Sequence, residues 1–149
     1  MIRYASCTQS IDRVALAEKL QRRLSKEDKT IDILIQVNTS YGQSKFGVVP
    51  NEALNLAFEI KRMENIRIKG LMAIGLLSAN HEKVRKCYRL LKIIQQTLQD
   101  KGIAAAELLM RRSGDLEIAI VKGSTMVRTG TAIFGERQYP DRYYRNEDT

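Results

Sequence analysis

The chain has 149 residues, a formal net charge of +8 and a hydrophobic fraction of 44%. This length predicts one domain, and its apolar content is sufficient for a buried core, which excludes a disordered protein. The sequence has no apolar run of about eighteen residues that could span a membrane, and its first ten residues lack the apolar segment of a signal peptide. We therefore expect a cytoplasmic location.

Metal and nucleic-acid sites are both disfavoured. Cys7, His81 and Cys87 are too few and too scattered for a typical metal site or a cysteine–histidine catalytic pair. The positive charge raises the hypothesis of RNA or DNA binding, because basic groups neutralise phosphates. The basic residues are, however, spread over several predicted helices, as on solvated helix faces. Nucleic-acid binding by a basic scaffold is therefore a minor alternative.

Strand and helix patterns alternate from the start of the chain. A strand is predicted at 6–11, followed by a helix with Asp12 at its N-cap. An apolar strand at 31–37 precedes a helix that begins near Pro50. This second helix is predicted to turn Leu54, Ala57, Phe58 and Ile60 inward. The remaining predicted elements are a strand at 66–74, a helix at 80–101 closed by Gly102, a strand at 106–110, a helix at 114–121 and a strand at 125–129.

This alternation predicts a parallel sheet with right-handed crossovers, either open or part of a (β/α)8 barrel. Polar or small residues follow the predicted strands where each ends. They are Asn38 and Ser40, Gly75, Ser113, and Gly130 with Thr131. In a barrel these positions share one mouth, which favours the barrel. The charged residues from 138 to 149 are predicted to form a flexible tail.

Residues 122–135, KGSTMVRTGTAIFG, combine a short apolar strand, the cation of Arg128 and two glycine-containing turns. Turns of this type offer backbone N–H groups and hydroxyls to an anion. The segment is typical of a site for a phosphate-bearing ring, although an ordinary strand bounded by turns has the same local pattern.

Four segments resemble, in the same order, motifs of the pyridoxal phosphate homeostasis protein family. They are QSIDRVALAEKLQRRL from Gln9, VNTSYGQSKFGVVP from Val37, IKGLMAIG from Ile68 and LLMRRSGDLEIAIVKGSTMVRTGTAIFG from Leu108. The resemblance implies that residues 1–137 are part of a (β/α)8 barrel similar to the N-terminal domain of alanine racemase. It also implies binding of pyridoxal 5′-phosphate (PLP), a role in PLP supply and no established catalytic activity.

The resemblance assigns a role to each candidate site residue. Ser113, Gly130 and Thr131 match the residues that hold the phosphate, and Arg128 matches the arginine that faces the pyridine nitrogen. Because a guanidinium only donates, it leaves the ring nitrogen unprotonated and the ring a poor electron sink. Met72 and Asn38 match positions that line the mouth, and Lys45 matches a lysine outside the main pocket.

The chain departs from the family pattern in two places. Family members begin about three strand–helix units earlier, and no lysine here matches the one that forms their Schiff base. We therefore expect weak, noncovalent PLP binding and no independent racemase activity. Leu109, Arg111 and Arg112 stand where the family has serine, glycine and methionine. Arg111 could crowd the phosphate or attract it, and the sequence leaves both open.

Five strands of an eight-stranded barrel leave two open edges, near Ser6 and near Thr129. We expect the missing N-terminal segment or another copy of the chain to cover them. Three interpretations follow: a PLP-binding protein of this family, a C-terminal fragment of a split or misassigned reading frame, or an unrelated basic scaffold.

Overall fold

The computed structural model describes residues 4–40, 46–74, 81–111, 116–128 and 130–135. Within these residues four strands form one parallel sheet in the order β1-β2-β3-β4. Their bounds are β1 (Cys7–Ile11), β2 (Ile31–Gln36), β3 (Ile66–Ile74) and β4 (Glu107–Arg111). The predicted α/β class and parallel sheet are confirmed, and β3 has the predicted bounds.

Helices follow the strands, and those that contribute side chains to the main core cover one face of the sheet. The described helices are α1 (Val14–Lys26), α2 (Ala53–Lys61) after a 3-10 turn at Pro50–Glu52, α3 (His81–Asp100), α4 (Leu116–Val121) and the single turn α5 (Thr131–Phe134). Gly102 closes α3 with a φ of 74°, as expected of a glycine after a helix. None of the helices within the described ranges combines the length and apolarity needed to cross a bilayer.

Two local predictions about the helices are wrong. The N-cap of α1 is Arg13, and the Asp12 carboxylate instead accepts from its guanidinium at 3.1 Å. Because α1 begins only at Val14, Asp12 is one residue too early to reach the first free N–H groups. Phe58 is 37% exposed rather than inward, because the buried stripe of α2 follows Ala57 and Ile60.

The main core lies between the sheet and the helices. Alternate β2 side chains, Ile31, Ile33 and Ile35, face this core and are almost fully buried. The helices contribute apolar side chains at spacings of three and four residues. Those of α1 to α3 include Ala17, Leu24, Ala53, Leu56, Ala57, Ile60, Val84, Tyr88, Leu91, Ile94 and Leu98.

The predicted fifth strand at 125–129 is wrong in its extent. Within the described residues it is a single parallel bridge between Met126 and Leu109. The N–H groups of Thr125 and Met126 both donate to the Leu108 carbonyl, at 3.0 and 3.1 Å. Two consecutive donors on one acceptor turn the backbone, so no ladder continues. The predicted tail lies outside the described residues.

The first strand has an unpaired edge. Among the described residues β1 pairs only with β2. Beside it, a groove of about 550 Å³ lies between β1 and α1. Its lining is partly apolar and includes Ala5, Thr8, Ile11, Leu16 and Leu20. An open strand edge beside an apolar groove can receive a further strand and helix.

Candidate cofactor site

The face of the sheet opposite the main core carries a second, smaller apolar cluster. Leu34, Met72 and Leu109 are buried there, and Ile74 and Met126 pack against them. Leu34 lies between Ile33 and Ile35 in sequence, so its side chain points to the opposite face. We call this surface the inner face, because it corresponds to the interior of a closed barrel. Met72 is only 2% exposed, so it forms part of the packed floor of this face.

Arg128 is bound to the first strand. Its Nε donates to the side-chain oxygen of Gln9 at 3.0 Å, and its Nη2 donates to the same oxygen. The Gln9 amide nitrogen in turn lies 3.1 Å from the sulfur of Met126. These contacts place the Arg128 guanidinium on the inner face, beside the apolar cluster, although its side chain is exposed.

The two glycine-containing turns around Arg128 have different surroundings. The hydroxyl of Ser124 donates to the carbonyls of Leu108 and Met126, at 3.0 and 2.7 Å. The N–H of Leu108 donates to the Thr125 hydroxyl at 2.9 Å. The predicted role of the first turn as a donor to an anion is therefore replaced by a structural role, in which its hydroxyls extend the edge of β4.

The second turn is more open. Gly130 is exposed, and an added Cβ would meet no atom within 4 Å. Its carbonyl accepts from the N–H groups of Ile133 and Phe134, both at 2.9 Å. Thr131 is the first residue of α5. The turn therefore leaves space for a ligand next to Arg128.

Asn38 belongs to a separate loop that follows β2. Its N–H donates to the Val48 carbonyl at 2.8 Å, and its side-chain oxygen accepts from the Ser40 hydroxyl at 3.1 Å. The buried Gln36 donates to the Phe46 carbonyl at 2.9 Å and supports the same loop. Asn38 thus caps its own loop, with its side chain half-buried.

Three other positions named from the sequence lie outside the described residues: Ser113, Arg112 and Lys45. Arg111 is the last residue of β4, where it pairs with Ile74 of β3. Gln9 contacts both Arg128 and Met126, and Met126 packs against Met72 and Leu109, so these positions lie together. Asn38 lies elsewhere, in the loop between 37 and 48.

Cys7 lies on β1, near Arg128. Burial raises the pKa of its thiol above the ordinary value, and the carboxylates of Asp32 and Glu107 raise it further, whereas Arg128 lowers it. Within the described residues, no group of three or more histidine, cysteine, aspartate or glutamate side chains could hold a metal ion.

The raised pKa of Cys7 lowers the fraction of thiolate at neutral pH. Because the thiolate is the nucleophile, we expect Cys7 to react with iodoacetamide more slowly than a free thiol. Arg128→Ala removes a positive charge that favours the thiolate, so it should slow the reaction further. Asp32→Asn removes a negative charge and should accelerate it. The rate is measured against pH by mass spectrometry of the Cys7 peptide. Equal pH profiles in all three proteins would contradict this electrostatic coupling.

A known protein family matches nearly the whole chain. The family model described as alanine racemase, N-terminal domain, matches residues 1–138. The chain belongs to this family. Together with the parallel sheet, the match confirms the predicted fold class, a partial barrel of the alanine racemase N-terminal type.

The curated relatives confirm the predicted resemblance. The chain is 42% identical over 130 residues to the pyridoxal phosphate homeostasis protein of Vibrio alginolyticus and 38% identical over 131 residues to that of Aquifex aeolicus. In both cases the match covers 87% of this chain, but only 56% and 58% of the relative. The chain therefore spans somewhat more than half the length of the curated relatives it matches.

A solved structure agrees with this fold. PipY of Synechococcus elongatus, in the structure without PLP, has a TM-score of 0.83 and 25% identity, and the match covers 90% of this chain and 63% of PipY. A second PipY structure, with PLP bound, has a TM-score of 0.80 and 23% identity, with the same coverage.

Two glutamines on or near the inner face are not among the predicted site residues. In the sequence, Gln9 is the first residue of a motif, and Gln36 lies within a predicted apolar strand. A glutamine within a short buried strand indicates a hydrogen-bonded position, because buried polar groups need hydrogen-bond partners.

Proposed function

We propose that this chain binds PLP on the inner face of its sheet, without a covalent bond, and serves PLP supply rather than catalysis. The observation that carries the proposal is the position of Arg128, whose guanidinium lies beside the apolar cluster and next to the open Gly130 turn. The curated relatives are pyridoxal phosphate homeostasis proteins, which supports the same ligand.

The chemistry of the proposed site follows from its donors. The Arg128 guanidinium would donate to the ring nitrogen, and the apolar cluster with Met72 would contact the ring. The Ser113 hydroxyl and the turn at Gly130 and Thr131 would hold the phosphate through donors, and Asn38 would lie at the mouth. PLP supplies an electron-withdrawing ring when bound, but an arginine at its nitrogen does not protonate the ring. The site is therefore suited to holding the cofactor.

We further propose that binding by this chain alone is weak and is completed by a polypeptide equivalent to the unmatched part of the longer relatives. No lysine of this sequence matches the Schiff-base lysine of the family. The unpaired edge of β1 and the adjacent groove are the surfaces that such a polypeptide would cover. A strand added to β1 and a helix laid in the groove would bury both.

The test is a titration of the purified chain with PLP, followed by absorbance, with borohydride reduction and mass spectrometry at saturation. We expect saturable binding without a stoichiometric reduced adduct. Arg128→Ala and Ser113→Ala should each weaken binding about tenfold, the effect of losing one charge-assisted hydrogen bond. Arg22→Ala, which removes an exposed cation on α1, should leave the affinity unchanged.

Each outcome decides part of the proposal. Binding that neither site variant weakens would overturn the assigned site, and a stoichiometric adduct would overturn noncovalent binding. If the chain alone shows no saturable binding, the unmatched N-terminal part of the Vibrio alginolyticus relative is added in trans. Recovery of binding would support completion by that part, whereas continued absence would overturn PLP binding.

A further inference from the structure

Gln9 links the first strand of the sheet to the last described segment. Its side-chain oxygen accepts from both Nε and Nη2 of Arg128, 119 positions later in the sequence. Its amide nitrogen is directed to the sulfur of Met126 at 3.1 Å. Gln9 is half-buried, whereas Arg128 is exposed. The more buried of the two side chains therefore holds the more exposed one.

The orientation of the Gln9 amide is determined by its neighbours. A guanidinium has only donors, so the amide oxygen must face Arg128, and the amide nitrogen then faces the weakly accepting sulfur. Met126 is itself packed against Leu34, Met72 and Leu109. The orientation of Arg128 is thus connected to the apolar floor of the inner face.

This contact leaves one side of the guanidinium for a ligand. Arginine has five N–H groups in a planar fork, and Gln9 engages the edge formed by Nε and Nη2. Among the described residues, no hydrogen bond engages the Nη1 side. An exposed arginine without such a contact would sample many rotamers and would lose that freedom on binding.

We infer that Gln9 is a positioning residue, which holds the Arg128 guanidinium in the plane needed to donate to the ring nitrogen of PLP. This inference rests on the proposed function. It assigns to a residue of the first strand a role in affinity, although that residue itself makes no contact with the ligand. A merely structural glutamine would instead affect stability and the binding of every ligand alike.

The first experiment needs no ligand. The Nε–H signal of Arg128 is observed by NMR, after assignment by its loss in Arg128→Ala. We expect slow solvent exchange in the wild-type protein, fast exchange in Gln9→Ala, and recovered protection in Gln9→Glu, which retains an acceptor oxygen. Ser10→Ala, on the same strand, is the control and should leave the signal unchanged. Equal exchange in the wild type and Gln9→Ala would overturn the inference.

The second experiment compares PLP with an analogue in which carbon replaces the ring nitrogen. We expect Gln9→Ala to weaken PLP binding about fivefold, the effect of one ordinary hydrogen bond, and to leave the analogue unaffected. The double variant with Arg128→Ala should bind PLP no more weakly than Arg128→Ala alone, because Gln9 acts through Arg128. Equal weakening for both ligands, or additive effects, would overturn the positioning role. Absence of PLP binding in the wild type, both alone and with the N-terminal part of the relative added in trans, would overturn the proposed function, whereas unaltered PLP binding in Gln9→Ala would overturn this inference alone.

Discussion

Gly70→Ala is expected to destabilise the fold by about 3 kcal/mol, at the upper end of the cost of overpacking. A Cβ at this position would lie 1.9 Å from the Glu107 carbonyl oxygen and 2.6 Å from its carbon. These are backbone atoms of the neighbouring strand, so they cannot move aside as a flexible side chain would. Gly70 pairs with Glu107 at the start of the β3–β4 ladder. The added methyl group must therefore separate the two strands where their pairing begins.

A local irregularity in the neighbouring β2–β3 ladder lies next to this close approach. Ile33 and Leu34 of β2 pair with Ile68 and Gly70 of β3, so Lys69 is an extra residue in the ladder. A bulge of this kind bends the strand, and glycine is common where backbones come close together.

The effect is measured by urea unfolding followed by circular dichroism. Gly130→Ala is the matched control, because an added Cβ there meets no atom within 4 Å. Its stability should lie within about 0.5 kcal/mol of the wild type. An unfolding midpoint of Gly70→Ala close to that of the control would show that β4 can move at little cost and that the prediction is wrong.

Gln95→Leu is expected to destabilise the fold by about 2 kcal/mol, because it removes both hydrogen bonds that a buried amide donates. Gln95 lies on α3 and is 1% exposed. Its amide nitrogen donates to the carbonyls of Ala105 and Ala106, both at 2.8 Å. Gln99 also donates to the Ala105 carbonyl, so this carbonyl keeps one partner, whereas the exposed Ala106 loses the Gln95 amide. These bonds hold the connection that leads directly into β4.

Gln96→Leu provides the control for this change. Gln96 is exposed on the same helix and donates to the Asp100 carboxylate at 3.0 Å. Its replacement should change the free energy of unfolding by less than about 0.5 kcal/mol. Urea unfolding of the two variants gives the comparison. If both variants lose the same stability, the cost comes from the added leucine on α3 rather than from the missing amide.

The order of the elements and most of their bounds follow from the amino-acid sequence alone. The apolar run of β3 predicted its two ends, and helical spacing placed α3 to within a residue at each end. These features are local, because hydrophobic periodicity, proline and glycine act within a few residues. Four motifs in order also indicated the family and, from it, the candidate cofactor residues.

The tertiary structure decided the features that depend on residues distant in sequence. The Gln9–Arg128 contact joins positions 119 apart, and Gly70 is required because of a carbonyl on another strand. The sequence at 125–129 predicts a strand, but two N–H groups converge on the Leu108 carbonyl, and the described part of the segment, 125–128, forms only one bridge. Pairing, close approach and the orientation of a charged side chain are set by the neighbouring element in space, and the local pattern of residues carries no information about that neighbour.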